Sequence, residues 1–180
     1  DYALYIRNTD GWRSANIPVD EQHLFGAVVG IVGASDVARE VLRLLDPFRV
    51  NVLLYDPYLN GQDAENLNVE KVDLDYLFER SDIISLHAPS CPETDHMVGL
   101  AQLARMRDGA LLINTARGEL VDEDALVDLL ERGYIAGAAM DVLDGEYEPT
   151  FDATSHPLVR YARRHDNLLL TPHIGGSTFD

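Results

Sequence analysis

The feature that most restricts this chain is a repeated alternation. Short apolar runs, each closed by a polar or glycine stop, are followed by segments with apolar residues at helical spacing. The runs are Ala27–Val32, Asn51–Tyr55, Asp82–Leu86, Ala110–Asn114, Ile135–Met140 and Asn167–Thr171. Near-continuous apolar runs of this length predict strands buried on both faces. Between them, Asp36–Leu45 carries Val37, Val41, Leu42, Leu44 and Leu45 at helical spacing, and Pro47 stops it. Asp73–Arg80 puts Leu74, Leu77 and Phe78 on one helical face, Ala101–Met106 makes a helical turn or two, and Pro157–Arg164 is a weaker helix. Asp122–Arg132 is the best defined: Asp122 suits the N-cap, Glu123 and Asp124 the positive first turn, and Gly133 the C-terminal stop. Such alternation predicts an α/β fold, a doubly wound parallel sheet of Rossmann type in three αβα layers. Residues 1–26 show no clear pattern.

The 180 residues suit one domain, and at 46% hydrophobic they can bury a core. No apolar run approaches the roughly 20 residues of a membrane helix. The single cysteine, Cys91, excludes an internal disulfide. The formal charge of −17 argues against nucleic acid or an anionic membrane as partner. Together these predict a soluble, cytoplasmic protein.

In a parallel sheet of this kind, ligands sit beyond the carboxyl ends of the strands. Asp56, His87, Arg117, Asp141 and His173 each follow a strand within a few residues. The first strand-to-helix turn, Gly33-Ala34-Ser35-Asp36-Val37-Ala38, matches the dinucleotide-binding fingerprint in part. Gly33 permits the tight turn, Ser35 stands where a second glycine lets the backbone approach a pyrophosphate, and Ala38 suits helix–strand packing. Asp56 ends the second strand, where a carboxylate accepts both ribose hydroxyls and repels a 2′-phosphate, so NAD is expected rather than NADP. The plainer alternative for Asp56-Pro57 is an ordinary turn. Asp36 stabilises the helix start, yet competes with the pyrophosphate for the same N–H groups, so with Ser35 it is expected to weaken cofactor affinity.

With these residues in view, the chain resembles the D-isomer-specific 2-hydroxyacid dehydrogenase family over roughly residues 12–180. The resemblance is carried by Val29–Ala38, Leu54-Tyr55-Asp56-Pro57, Ser85–Pro89 with Pro92-Glu93-Thr94, Leu112–Gly118 with Leu120-Val121-Asp122, Gly137–Val142, and Leu170–Thr178. It implies that Arg117 binds the substrate carboxylate, that His173 is the acid/base, and that Glu146 pairs with His173. It implies that Asp141 holds the nicotinamide carboxamide, that Thr115 and Ala116 meet the nicotinamide end, and that Asp36 and Val37 line the pyrophosphate. Thr94, Gly175 and Gly176 fall in the same motifs and are further cofactor-side candidates. Ser35 and Asp36 depart from the family, which usually has glycine and often a basic residue there. The His173-Ile174-Gly175-Gly176 ending is more similar to the phosphoglycerate and hydroxypyruvate type than to the family's corepressor type.

The chemistry suits these residue types. A histidine exchanges protons near neutral pH, and a carboxylate beside it fixes its tautomer. Arginine's planar fork orients a carboxylate and polarises a carbonyl. The cofactor carries the hydride. Plainer roles stand beside these: Arg117 as an ion-paired helix flank, His173 as a turn cap, and Glu148 in place of Glu146 in the acidic run Asp144–Glu148. His87 either bonds the cofactor or packs at its strand end. His23, His96, His156 and His165 lack such placement and are expected at the surface, and no metal site is expected.

The expected organisation is an interdomain or dimer-contact segment over 1–26 and the NAD-binding domain over 27–180. The resemblance implies a substrate-side domain outside this chain, a small 2-hydroxy or 2-keto acid as substrate, and a homodimer. A non-catalytic NAD-sensing or corepressor-like domain, or one with impaired cofactor binding, is the alternative.

Overall fold

The computed structural model describes residues 24–176. Seven strands form one parallel sheet: β1 Val28–Val32, β2 Asn51–Tyr55, β3 Glu70–Lys71, β4 Ile83–Leu86, β5 Leu111–Asn114, β6 Gly137–Met140 and β7 Leu168–Leu170. Six α-helices connect them: α1 Asp36–Leu45, α2 Gly61–Asn66, α3 Leu74–Arg80, α4 Leu100–Leu103, α5 Glu123–Glu131 and α6 Pro157–Ala162. The strand order is β3-β2-β1-β4-β5-β6-β7. The chain thus winds outward from β1 to β3, then returns to β4 and winds the other way. The β1–β4 junction is the topological switch point, where such sheets bind ligands.

Side chains alternate across the sheet as the period of two requires. Val29, Ile31 and Leu54 meet Ala38 and Leu42 of α1 and Ala64 of α2 on one face. Val32, Leu53, Ile84, Leu86, Leu112, Met140 and Leu168 share the larger core with α3 to α6 on the other. Among the described residues the first face is covered over β1 and β2, while Leu111 and Leu169, at 37% and 63% exposure, lie uncovered farther along.

The caps follow the residues expected of them. Ser35 Oγ accepts from the Ala38 N–H at 3.3 Å, and Asp122 Oδ1 accepts from the Ala125 N–H at 3.0 Å. Gly133 follows α5 at φ +71°. Pro47 sits in a short 3₁₀ turn, Asp46–Phe48, that ends α1. Two elements escape the sequence pattern. Helix α2 buries only Ala64, and β3 is two residues long with both side chains exposed, so neither carries a readable apolar period. The segment 1–23, and His23 with it, lies outside the described residues, so the dimer-contact expectation falls largely there.

Candidate active site

Strand register lines the site up. Val32 pairs with Tyr55 and Leu86, Leu86 with Asn114, Asn114 with Met140, and Met140 with Leu170. The residues just beyond, Gly33, Asp56, His87, Thr115, Asp141 and Thr171, therefore form one row along the carboxyl edge. Two clefts run along it and share Ala88 and Pro89. One, of about 350 Å³, is lined by Gly33, Asp56, Tyr58, Cys91 and Thr94 among others. The other, of about 450 Å³, is lined by Ser35, Val37, His87, Thr115, Ala116 and Arg117 among others.

Gly33 is obligatory at the junction. Its φ is +96°, and a Cβ would stand 2.8 Å from the Ala88 nitrogen. Asp56 accepts the Ala34 and Tyr58 N–H groups at 2.8 Å and the Leu59 N–H at 3.1 Å. It ties the end of β2 to the glycine loop, and these bonds take three of a carboxylate's roughly four acceptor positions. Ser35 serves as the α1 cap, with its backbone extended at φ −62° and ψ 169°. Asp36 is exposed in the first turn of that helix. Thr94 is held in its own turn, donating to the Pro89 carbonyl at 2.6 Å and accepting the Cys91 N–H at 3.0 Å.

The buried ring of His87 lies 2.9 Å from Ser85 Oγ through Nε2, and burial lowers its pKa, so it is neutral at neutral pH. Buried Asn114 shapes the next turn. Its carbonyl oxygen accepts the Ala116 N–H at 3.0 Å, and its amide donates to the Arg117 carbonyl at 2.8 Å. Thr115 and Arg117 are exposed there, and the Arg117 guanidinium donates to the Ala116 carbonyl at 2.6 Å. Gly118 then packs hard on the Leu143–Asp144 backbone, where a Cβ would come 2.1 Å from the Leu143 carbonyl carbon. This close approach sets the Arg117 turn beside the loop that carries Glu146.

His173 and Glu146 meet: Nδ1 lies 2.6 Å from Glu146 Oε1. A carboxylate oxygen only accepts, so Nδ1 carries the proton and Nε2 is left for exchange. The side chains are 30% and 15% exposed. The Tyr147 hydroxyl stands 3.2 Å from the same nitrogen, its ring edge-on to the imidazole. His173 is left-handed, at φ +50°, a conformation that persists only where its surroundings enforce it. Buried Asp141 does so, accepting the Ile174 N–H at 3.0 Å, the Gly175 N–H at 2.8 Å and the Thr171 hydroxyl. Burial alone would raise the Asp141 pKa, but the Thr171, Gly175 and Ile174 hydrogen bonds and the His173 charge bring it below its ordinary value. Asp141 thus builds the turn that presents His173. Gly176 is exposed beyond that turn.

Three residues behind the site were not singled out by sequence. Tyr147 is one. His156, expected at the surface, is a correction: its side chain is 10% exposed and lies 2.9 Å from Glu123, itself 7% exposed. Glu123, read only as a charge suited to the helix's first turn, folds inward and accepts the Asp144 N–H at 2.9 Å. Burial raises its pKa to about 8, the Asp144 N–H bond opposes the rise, and the charges of Asp144 and Asp124 add to it. Burial also lowers that of His156. Glu123 and Asp144 are 21 positions apart, and no local spacing announces their contact. His96 and His165 are exposed, as expected. No cluster of potential metal ligands occurs among the described residues, and no described helix is long and apolar enough to cross a membrane.

Residues 3–175 match the family of D-isomer specific 2-hydroxyacid dehydrogenases, NAD binding domain. The chain belongs to this family, as its NAD-binding domain. It is 40% identical over 156 residues to the D-3-phosphoglycerate dehydrogenase of Methanocaldococcus jannaschii, covering 86% of this chain and 28% of that protein. It is 41% identical over 159 residues to the glyoxylate reductase of Thermofilum pendens, covering 87% and 44%. Among solved structures, the NAD-complexed D-isomer specific 2-hydroxyacid dehydrogenase of Lactobacillus delbrueckii ssp. bulgaricus superposes with a TM-score of 0.79 at 31% identity, over 96% of this chain and 53% of that one. The chain therefore spans about half or less of the length of these relatives.

Proposed function

We propose that the protein is the cofactor half of an NAD-dependent dehydrogenase that interconverts a D-2-hydroxy acid and its 2-keto acid. The observation that carries this reading is the His173–Glu146 pair at the carboxyl edge of the sheet, its Nε2 without a partner among the described residues and available for proton exchange. The edge suits a dinucleotide. A Cβ at position 33 would close the β1–α1 turn, and paired clefts flank it. Gly33, Asp56 and Thr94 would hold the adenosine side, with Ser35, Asp36 and Val37 at the pyrophosphate. His87, Thr115, Ala116, Asp141, Gly175 and Gly176 would hold the nicotinamide side. NAD(H), when bound, supplies or accepts the hydride.

The chain's own residues do the rest. Arg117 orients the substrate carboxylate and polarises the adjacent carbonyl. In reduction, His173 Nε2–H gives its proton to the keto oxygen; in oxidation, Nε2 takes the hydroxyl proton. Glu146 holds the ring tautomer through Nδ1 and balances the imidazolium charge. The reading includes a cytoplasmic homodimer, which sedimentation of the native protein checks. Titrating NADH against the protein and screening the full-length form on a panel of 2-keto acids tests it. NADH binding with turnover lost in His173→Asn supports the reading, and NADH binding without reduction of any acid favours the corepressor-like alternative.

A further inference from the structure

Glu123 opens α5, a place where a carboxylate ordinarily points into water. Here it is buried. Its Oε1 accepts the Asp144 N–H at 2.9 Å, and its Oε2 faces His156 Nε2 at 2.9 Å. The His156 side chain is largely covered in turn, packed near Phe151, and its Nδ1 has no hydrogen-bond partner among the described residues. Burying two titratable groups is costly, and a stable core gains little from it. What the pair holds is the start of the Glu146 loop. Asp144 is bound a second time through its carboxylate, which lies 3.4 Å from His96 Nε2. Its backbone rests on Gly118, the neighbour of Arg117. From Asp144 the chain turns tightly, the Glu146 N–H reaching the Leu143 carbonyl at 3.3 Å and the Glu148 N–H the Gly145 carbonyl at 2.8 Å. A shift at Asp144 therefore moves Glu146.

We propose that Glu123, braced by His156, is a positioning residue: it fixes the Asp144 backbone and so aims Glu146 at His173. The proposal rests on the dehydrogenase reading above, because Glu146 matters only where His173 moves a proton. Glu123 lines neither cleft and does not bond His173, so its loss leaves cofactor affinity alone and lowers the chemical step.

The test uses the full-length protein with Glu123→Met, which keeps the volume and removes the acceptor, and Glu123→Gln, which keeps an acceptor for the Asp144 N–H. Misplaced catalytic groups cost about tenfold or more in kcat. Glu123→Met is expected to show that loss, with the NADH Kd within about twofold of wild type, and Glu123→Gln to recover most of it. A kcat for Glu123→Met within about twofold of wild type overturns the proposal. If Glu123→Met does not fold, His156→Leu, which removes the brace alone, is judged by the same criteria. An independent readout is the ring NMR signal of His173. A changed Nδ1–H signal in Glu123→Met supports the proposal, and an unchanged one overturns it. Absence of any keto-acid reduction by wild type would defeat the dehydrogenase reading, while the NMR comparison still decides the positioning role.

Discussion

Ser35 and Asp36 show how one residue can serve two demands. The sequence pattern marks both as departures at a pyrophosphate loop. Ser35 acts as the cap of α1 through its hydroxyl, a role that glycine lacks. Asp36 stabilises the same helix end by its charge, where a cofactor phosphate would also sit. Removing that charge is expected to tighten NADH by a factor of about 2 to 5, the equivalent of about 0.5 to 1 kcal/mol. Calorimetric titration of Asp36→Asn checks this, and an unchanged Kd removes Asp36 as a competitor. Glu123 gives a second residue-scale prediction. Its folded pKa of about 8 stands above the ordinary 4.5, so the folded protein binds more protons and stability falls as pH rises between these values. His156, lowered from 6.5, acts oppositely: its contribution is lost as pH falls below 6.5. Of this pair, Glu123 is the one that still titrates above 6.5, and the separate effect of His96, whose pKa is raised, is common to wild type and variant. Glu123→Gln should therefore gain Tm relative to wild type as pH rises from 6.5 to 8, whereas a constant difference between the two melting curves contradicts the raised value.

At the scale of elements, the long regular pieces were legible because each carries its own period. The β1 run, the α1 stripe and the Asp122 cap each state their structure within a few residues. Short α2 and β3 do not, because their places are set by β2 and the loop around them. The site divides in the same way. Arg117, Asp141 and His173 stand at strand ends and can be read from position, whereas Glu146 among the carboxylates of Asp144–Glu148 was legible only through the family resemblance. The Glu123–His156 brace is a contact between the starts of α5 and α6, and only packing brings it together. The Arg117 turn and the Glu146 loop meet through Gly118, which leaves no space for even a methyl group. Gly118→Ala is expected to cost about 1–3 kcal/mol, the usual price of overpacking. It should also lower turnover by parting the two loops. Urea melts measure the first effect and kcat the second; an alanine variant with wild-type values in both would show that the contact yields freely.

At the scale of the molecule, the sheet edge stands open to solvent. Arg117 is exposed, and the His173 side chain keeps 30% of its surface in contact with solvent. A guanidinium in water gains little by polarising a carbonyl, because the high dielectric screens it. An imidazole open to solvent exchanges its proton with water as readily as with a substrate. The relatives are two to three times longer than this chain, which leaves room for a covering domain of the kind that closes many active sites and excludes water. The residues proposed above to hold the cofactor, by contrast, lie along one sheet edge of this chain, from Asp56 across to Asp141. Binding and turnover should therefore separate. The 180-residue chain is expected to bind NADH with an affinity close to that of a form that carries a covering domain. Its turnover should fall by about 100-fold or more, as expected where orientation and desolvation are lost together. Parallel NADH titrations and keto-acid assays on the two forms decide it. Equal turnover would mean that the edge of this sheet is a complete active site. Loss of NADH binding would mean that a covering domain builds the cofactor cleft as well as closing it.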